Sequence, residues 1–320
     1  MTRSPASSLQ RQRGFNLVEL MIAMVIGLFL VGGALTIFVQ GNAAQRTSTG
    51  LSRLQENGRF VMDMMVPDIR GAGLWGLTHH ADLVDKRFGS TGAFAALTGD
   101  CRVGSYIDLD NRLEASDDTN TFTGCITAAD YQAGTDVLVV RRASVDPVTA
   151  YTAGRMYIRS DRTHGEIFQG AAVPTNPFAI DAEDHALIVH VYYIRPYSYS
   201  ATDGIPMLRR KVLSAAAGGA TIADEEVAPG VEDLQVQFGV DADADGDVDS
   251  YVDATSAAFD IAEVRAVRFW LLLRAEEAER DYTDAATYEY GTTMVTPADA
   301  FRRLLVSSTV LLRNTTIVEE

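Results

Sequence analysis

The chain has 320 residues, and its 43 acidic residues outnumber its 27 lysines and arginines, which gives a formal net charge of −16. This length is enough for one or two domains with a sizeable hydrophobic core. The negative balance argues against nucleic acid and anionic lipid as partners of the globular part, because both are themselves negatively charged.

A short basic leader precedes a long apolar run. Arg3, Arg11 and Arg13 lie before Gly14, and the stretch 20–39 contains 20 residues without a charged side chain. As a helix with a rise of about 1.5 Å per residue, this stretch covers about 30 Å, enough to cross a bilayer core. It exceeds the apolar region of about 7–15 residues in a secretory signal peptide. We therefore expect a single membrane-spanning helix, with the basic leader in the cytoplasm and the body outside.

One acidic residue, Glu19, lies within the apolar segment. An acid at the centre of a membrane helix costs about 2.5–3.5 kcal/mol and usually has a function, so a simple anchor leaves it unexplained. A buried carboxylate–ammonium pair contributes little net stability, whereas losing one partner is strongly destabilising. Such a pair is suited to fixing the register between parallel helices.

The octapeptide 13–20, RGFNLVEL, resembles the class III signal of type IV prepilins and type II secretion pseudopilins. The resemblance implies that prepilin peptidase cuts between Gly14 and Phe15 and methylates the new amino terminus at Phe15. It also implies that Glu19 pairs with a neighbour's terminal amine during assembly. Removal of residues 1–14 takes away three arginines and no acid, so the mature chain is still more negative.

The apolar run continues into a predicted amphipathic helix. Apolar residues recur there at helical spacing: Leu51, Leu54, Val61 and Met65. Glycines within the segment, at about 1 kcal/mol each relative to alanine, predict a soft or interrupted helix: Gly41, Gly50 and Gly58. Pro67 predicts its end. We expect a spine helix over 15–66, of which 15–39 spans the membrane, as in pilins.

Residues 76–135 show little sustained periodicity, and we expect a loop-rich segment over 67–135, of the kind that often forms a binding surface or is disordered. Cys101 and Cys125 lie within it. In an exported domain these cysteines favour a disulfide, with two buried reduced cysteines as the alternative.

Residues 136–320 predict a β-rich head. Short apolar, β-branched or alternating segments indicate strands at 137–140, 187–194, 207–213, 234–240, 264–273 and 304–312. The second and third follow each other as a hairpin, and the alternation in 234–240 predicts one buried and one solvent-exposed face. His190 lies in an apolar strand and is interpreted as a satisfied core or surface histidine. The expected fold is α+β: a long N-terminal helix with an antiparallel β head.

Three further segments resemble the PilW family of minor pilins. They are 68–74 (DIRGAGL), 229–241 (PGVEDLQVQFGVD), and the arginine pair 302–303 with its close Leu312-Arg313-Asn314. The resemblance implies a minor pilin that joins a tip complex priming type IV pilus assembly, with roles in twitching motility and adhesion. It implies an inner-membrane protein with a periplasmic head that later lies at the pilus tip. The implied partners are prepilin peptidase, the major pilin, PilV-, PilX- and FimU-type minor pilins, and a PilY-type tip adhesin.

Two other functions stay open at this point. The prepilin signal also fits a J-type pseudopilin of type II secretion, and the apolar helix fits a membrane-anchored module that binds calcium or a glycan. The sequence contains no G-x-S-x-G, Walker loop, dinucleotide fingerprint or H-E-x-x-H motif, so it predicts no enzyme.

One acidic segment, 241–249 (DADADGDVD), matches the start of a calcium loop, with acids at positions 1, 3 and 5 and glycine at 6. Val252 occupies position 12, where an EF-hand needs glutamate, and the flanks predict strands. We therefore expect either a calcium-holding β-turn or a solvated acidic hairpin tip. The candidate ligands are Asp241, Asp243, Asp245, Asp247, Asp249 and Asp253.

Overall fold

A computed structural model describes Gly14 and residues 16–85, 99–102, 104–175, 178, 180–216 and 219–315. The described residues fall into two compact units that divide between Thr49 and Gly50.

The first element, α1 (Leu17–Arg70), is assigned as one uninterrupted helix. The prediction that the helix ends before Pro67 is therefore wrong, as is the expected interruption at glycines. Proline removes one backbone donor, but the final turn closes through its carbonyl, which accepts the N–H of Gly71 at 3.1 Å. Asp68 and Ile69 in that turn are buried in the head, so tertiary contacts hold the helical conformation beyond the proline.

Within the second unit, α1 presents one apolar face to the head. Leu54, Val61, Met65 and Ile69 are buried in the main core, whereas Leu51 is exposed. Gly58 lies on the same face, and a Cβ there would lie 3.4 Å from Val306 Cγ1. The helix therefore packs directly against the head at this turn.

Fourteen strands occur in the described residues. They are β1 (Val84–Asp85), β2 (Leu113–Ser116), β3 (Val137–Ala143), β4 (Met156–Ser160), β5 (Gly165–Gln169), β6 (Glu183–Arg195), β7 (Met207–Ala216), β8 (Gly219–Pro229), β9 (Val231–Val240), β10 (Ser250–Val252), β11 (Val264–Arg274), β12 (Tyr288–Tyr290), β13 (Thr293–Val295) and β14 (Arg303–Leu311). Short 3-10 helices span Ala81–Leu83 and Ser105–Ile107.

In the described part of the chain these strands form sheets of eight, four and two strands. The first runs β1-β5-β4-β6-β3-β2, with β7 joined to β6 and β8 joined to β7; the second runs β10-β9-β11-β14; the third pairs β12 with β13. All pairings are antiparallel except β1 with β5. The long helix and antiparallel head confirm the expected α+β fold.

The six predicted strands are all present, as β3, β6, β7, β9, β11 and β14, and the predicted β6–β7 hairpin is confirmed. The solvent-exposed face predicted for β9 is wrong, because Asp233 and Gln235 on that face are buried. The β12–β13 hairpin covers them: the hydroxyl of Tyr290 donates to Asp233 at 2.7 Å, and Gly291 lies against Gln235.

The segment predicted as loop-rich contributes side chains to a buried core that it shares with the large sheet. Tyr106, Leu109, Phe122 and Ile126 are buried with Cys101 in a cluster that also includes β3 and β6 residues. Loop residues can form such a core when their backbone polar groups find partners.

Arg141 on β3 supplies several of those partners. Its side chain is fully buried and donates to the carbonyls of Ser105 at 2.7 Å and Asn111 at 2.5 Å, and to Glu114 at 2.8 Å. One buried guanidinium thus fixes the 105–114 segment against the sheet.

Cys101 and Cys125 form a disulfide, which confirms the favoured alternative. Gly124 fits beside it because a Cβ would lie 2.4 Å from the carbonyl oxygen of Asp100. The bridge joins two cysteines that are 24 residues apart in sequence.

Replacing both cysteines, as Cys101→Ser with Cys125→Ser, is expected to lower the free energy of unfolding by about 3 kcal/mol, because the open chain regains loop entropy. Urea unfolding of the full chain in detergent measures the change. Wild-type protein under reductant is the matched control and should shift similarly. An unchanged midpoint in both samples would contradict a stabilising role for the bridge.

Candidate functional site

The start of α1 carries the acid singled out by the sequence. Glu19 lies in the first helical turn, is exposed, and accepts the backbone N–H of Asn16 at 3.1 Å. Asn16 precedes the helix, and its carbonyl accepts the N–H of Leu20 at 3.1 Å. A carboxylate at the third helical position that reaches back to the N-cap N–H is the acidic half of a capping box. Glu19 therefore has a local partner within its own chain.

The helix beyond Glu19 exposes apolar side chains on all sides. Large residues from Leu17 to Val39 have more than half of their surface exposed. In length and composition, α1 is the one helix among the described residues that could cross a membrane. A helix that is apolar all round is stable only against lipid or other helices. Gly14 precedes it in an exposed position, and Phe15 lies outside the described residues.

The other end of α1 is held by a buried carboxylate. Asp68 is 4% exposed; one of its oxygens accepts Arg142 Nε at 2.7 Å, and the other accepts the Tyr192 hydroxyl and His190 Nδ1, both at 2.8 Å. Because an ionised carboxylate only accepts hydrogen bonds, Nδ1 of His190 must be the donor. Three side chains from β3 and β6 thus converge on one helical residue.

The surroundings of Asp68 keep it ionised. Burial acts to raise the pKa of this carboxyl, but the hydrogen bond and attraction from His190, followed by those from Arg142, outweigh burial and lower the pKa to about 2. Burial and the adjacent carboxylate raise the pKa of Tyr192 well above its ordinary value, so its hydroxyl stays a donor. Its burial and its contact with Asp68 make His190 a satisfied core histidine, which is one of the two alternatives.

The segments that resemble PilW contact one another in the fold. Asn314 donates from Nδ2 to the carbonyls of Gly71 and Ala72, both at 3.3 Å, directly after α1. Arg303 on β14 makes a two-pronged ion pair with Glu232 on β9, at 2.6 and 3.0 Å. Such paired guanidinium–carboxylate contacts combine charge with fixed geometry. These segments therefore have a structural role. Asn314 contacts the end of α1, and Arg303 joins two strands of the second sheet.

The acidic loop brings together only part of the predicted ligand set. Carboxylate oxygens of Asp241, Asp243 and Asp249 lie within 4.8 Å of one another. Among the described residues, this close group does not include the other predicted ligands: Asp245, Asp247 and Asp253. The side chain of Asp253 instead accepts Gln237 Nε2 at 2.9 Å.

Two family models match the chain. The family described as type IV pilus-assembly protein W matches residues 191–314, and the prokaryotic N-terminal methylation motif matches residues 9–35. Together the two matches support a PilW-type minor pilin. No curated protein and no solved structure matches the chain significantly.

The PilW match covers β7 to β14 and the C-terminal part of β6, and the methylation motif covers Gly14, Phe15 and Glu19. The two matches support a pilin related to type IV pili, with a membrane-anchoring helix and a pilus-associated head. The motif implies processing by prepilin peptidase and association with other pilus components. The PilW family also suggests a structural rather than an enzymatic protein.

Sequence reasoning did not find the side chains that organise the head. Asp68 lies in a segment that resembles PilW, and Arg141 directly follows the predicted strand 137–140. Their partners lie 27 to 124 positions away in sequence. The available signal was a charged residue beside an apolar run, which by itself does not identify a partner.

Asp68→Asn is expected to lower the free energy of unfolding by about 3–5 kcal/mol at pH 7, because Arg142 loses its buried counter-charge. The pKa of Asp68 is lower in the folded state than in the unfolded chain. Its contribution is therefore complete above about pH 4 and is lost as the pH falls toward about 2. Urea unfolding at several pH values should show the gap between variant and wild type narrowing over this interval.

Asp63→Asn is the matched control for Asp68→Asn. Asp63 is on the same helix, is 73% exposed, and lies 3.6 Å from Arg59 Nε, so its removal should change stability by less than about 1 kcal/mol. Equal losses in the two variants, or a gap for Asp68→Asn that does not change with pH, would contradict the role of Asp68.

Proposed function

We propose that the chain is a minor pilin that joins a tip or priming complex for type IV pilus assembly and thereby supports twitching motility and adhesion. The observation that carries the proposal is the presence, in one chain, of a prepilin methylation motif over 9–35 and a PilW-type head over 191–314. The exposed apolar side chains of α1 support it, since they require lipid before assembly and neighbouring helices afterwards.

In this proposal prepilin peptidase cuts between Gly14 and Phe15 and methylates Phe15. The leader arginines keep the amino terminus in the cytoplasm, and the head lies in the periplasm until the subunit enters the pilus tip. The proposed partners are the major pilin, PilV-, PilX- and FimU-type minor pilins, and a PilY-type tip adhesin. The acidic composition of the head gives no reason to add nucleic acid.

Glu19 is the proposed assembly residue. In apolar surroundings its carboxylate requires a charged partner, and the new amino terminus of a neighbouring subunit supplies an ammonium group. The residue is exposed in the first turn of α1, so a neighbour can reach it. The pair would set the axial position of one helix relative to the next.

A J-type pseudopilin of type II secretion is the second candidate, because it would carry the same N-terminal signal. The PilW match over the head favours the pilus. A membrane-anchored binding module for calcium or glycan would need the apolar helix but not the acid within it. A substitution at Glu19 should therefore affect assembly but not the function of such a module.

Glu19→Ala is expected to abolish surface piliation and twitching while leader removal continues, because the peptidase site is unchanged. Gly14→Val is expected to leave the leader in place and abolish assembly. Intact mass spectrometry measures cleavage, and electron microscopy with a motility assay measures assembly. Glu56→Ala, which makes the same change at an exposed position of α1, is the matched control and should retain pili. Normal piliation and motility in both test variants would overturn the assembly role.

The full chain, purified in detergent, is expected to capture PilV-, PilX- and FimU-type minor pilins from the same cell. Pseudopilins of the secretion system are the competing set in the same pull-down. Enrichment of the secretion set instead would favour the J-type function.

A further inference from the structure

The loop between β9 and β10 brings three aspartates together. Its two ends are fixed by backbone hydrogen bonds: the N–H of Asp241 donates to Glu263 at 3.0 Å, and that of Asp249 donates to Val240 at 2.9 Å. Ala244 and Gly246 have φ values of 62° and 95°, so the chain turns back sharply between these ends. This turn places Asp243 beside the two terminal aspartates.

Asp241 is the buried member of the group. It is 1% exposed, and its Oδ2 accepts the N–H of Gly246 at 3.0 Å and Arg265 Nε at 2.9 Å. Its Oδ1 is also buried but has no hydrogen-bond partner among the described residues. A buried acceptor without a partner is costly, and buried polar atoms are nearly always satisfied by protein, water or an ion. This oxygen without a partner is part of the Asp241 carboxylate, which is one of the three carboxylates in the group.

Repulsion gives a second reason for a bound cation. Five aspartates occur within the nine residues 241–249, and Arg265 contacts the buried one. A divalent cation between these carboxylates would offset their mutual repulsion.

We propose that the 241–249 loop binds one Ca²⁺ through Asp241, Asp243 and Asp249. Calcium takes six to eight oxygen ligands in flexible geometry, so three carboxylates can be completed by loop carbonyls and water. Magnesium demands a near-ideal octahedron and keeps more of its water, so it suits an exposed loop less well. The flanking strands distinguish this site from an EF-hand, and calcium binding goes beyond the pilin function proposed above.

The site differs from the sequence pattern in its ligand set. Asp245 and Asp247 are part of the acidic repeat, but Asp245 Oδ1 accepts the N–H of Asp247 at 2.8 Å and thereby shapes the turn. These two residues add negative charge around the ion without joining the close group. A substitution at Asp247 therefore removes charge but spares the proposed ligands.

Isothermal titration of the full chain in detergent with CaCl2 is expected to show one site per chain with a Kd of about 10⁻⁴–10⁻³ M, the range of extracellular modules. In about 5 mM CaCl2 the Tm should rise by about 2–4 °C, because calcium binds the folded state. The same concentration of MgCl2 should give a smaller rise.

Asp243→Asn is the test variant, because Asp243 is exposed and its substitution leaves the buried Asp241–Arg265 pair in place. It should weaken calcium binding at least tenfold and remove the rise in Tm. Asp247→Asn is the matched control, with the same charge change in the same loop, and should bind calcium within about threefold of wild type. The proposal is overturned by the absence of binding heat and Tm shift in wild type. Equal losses in both variants, or equal shifts with magnesium, would also overturn it by indicating general charge screening.

Discussion

The head depends on the hydrogen bonds that the buried carboxylate of Asp68 accepts. This carboxylate receives hydrogen bonds from β3 and β6, two adjacent strands of the largest sheet, at the point where α1 ends. An unpaired ion at this depth would be strongly unfavourable, so the helix end and both strands must be in place together. The apolar face of α1 packs into the main core, and Asp68 fixes the position of the helix end on the sheet.

The two parts of α1 therefore differ in what surrounds their apolar residues. In the second unit its apolar residues lie on one face and are buried, as at Leu54, Val61 and Met65. Before Thr49 the large apolar residues are exposed all round. The first pattern is satisfied within the chain, and the second is satisfied only by lipid or by other subunits. This difference explains how one element serves both a folded head and an assembly.

Much of the fold could be predicted from the sequence, because an apolar run of strand length indicates a buried strand. β6 and β11 are predicted on this basis. β8 was not predicted because it is mostly half-buried or exposed, lacks a sustained apolar run, and belongs to the sheet through its single neighbour β7. The buried face of β9 was missed because Asp233 is a polar residue that a distant hairpin covers. At the candidate metal loop the acidic pattern indicates six possible ligands, and the turn geometry brings three of them together.

The contact between Asn314 and the end of α1 has a consequence for the order of folding. The amide of Asn314 bonds to carbonyls 242 and 243 positions earlier in the chain. Contacts this distant in sequence form late, because closing so long a loop removes much chain entropy before the contact forms. The helix end therefore stays without this cap until residue 314 has been synthesised. During that interval the strands of the head that still lack partners are exposed to aggregation.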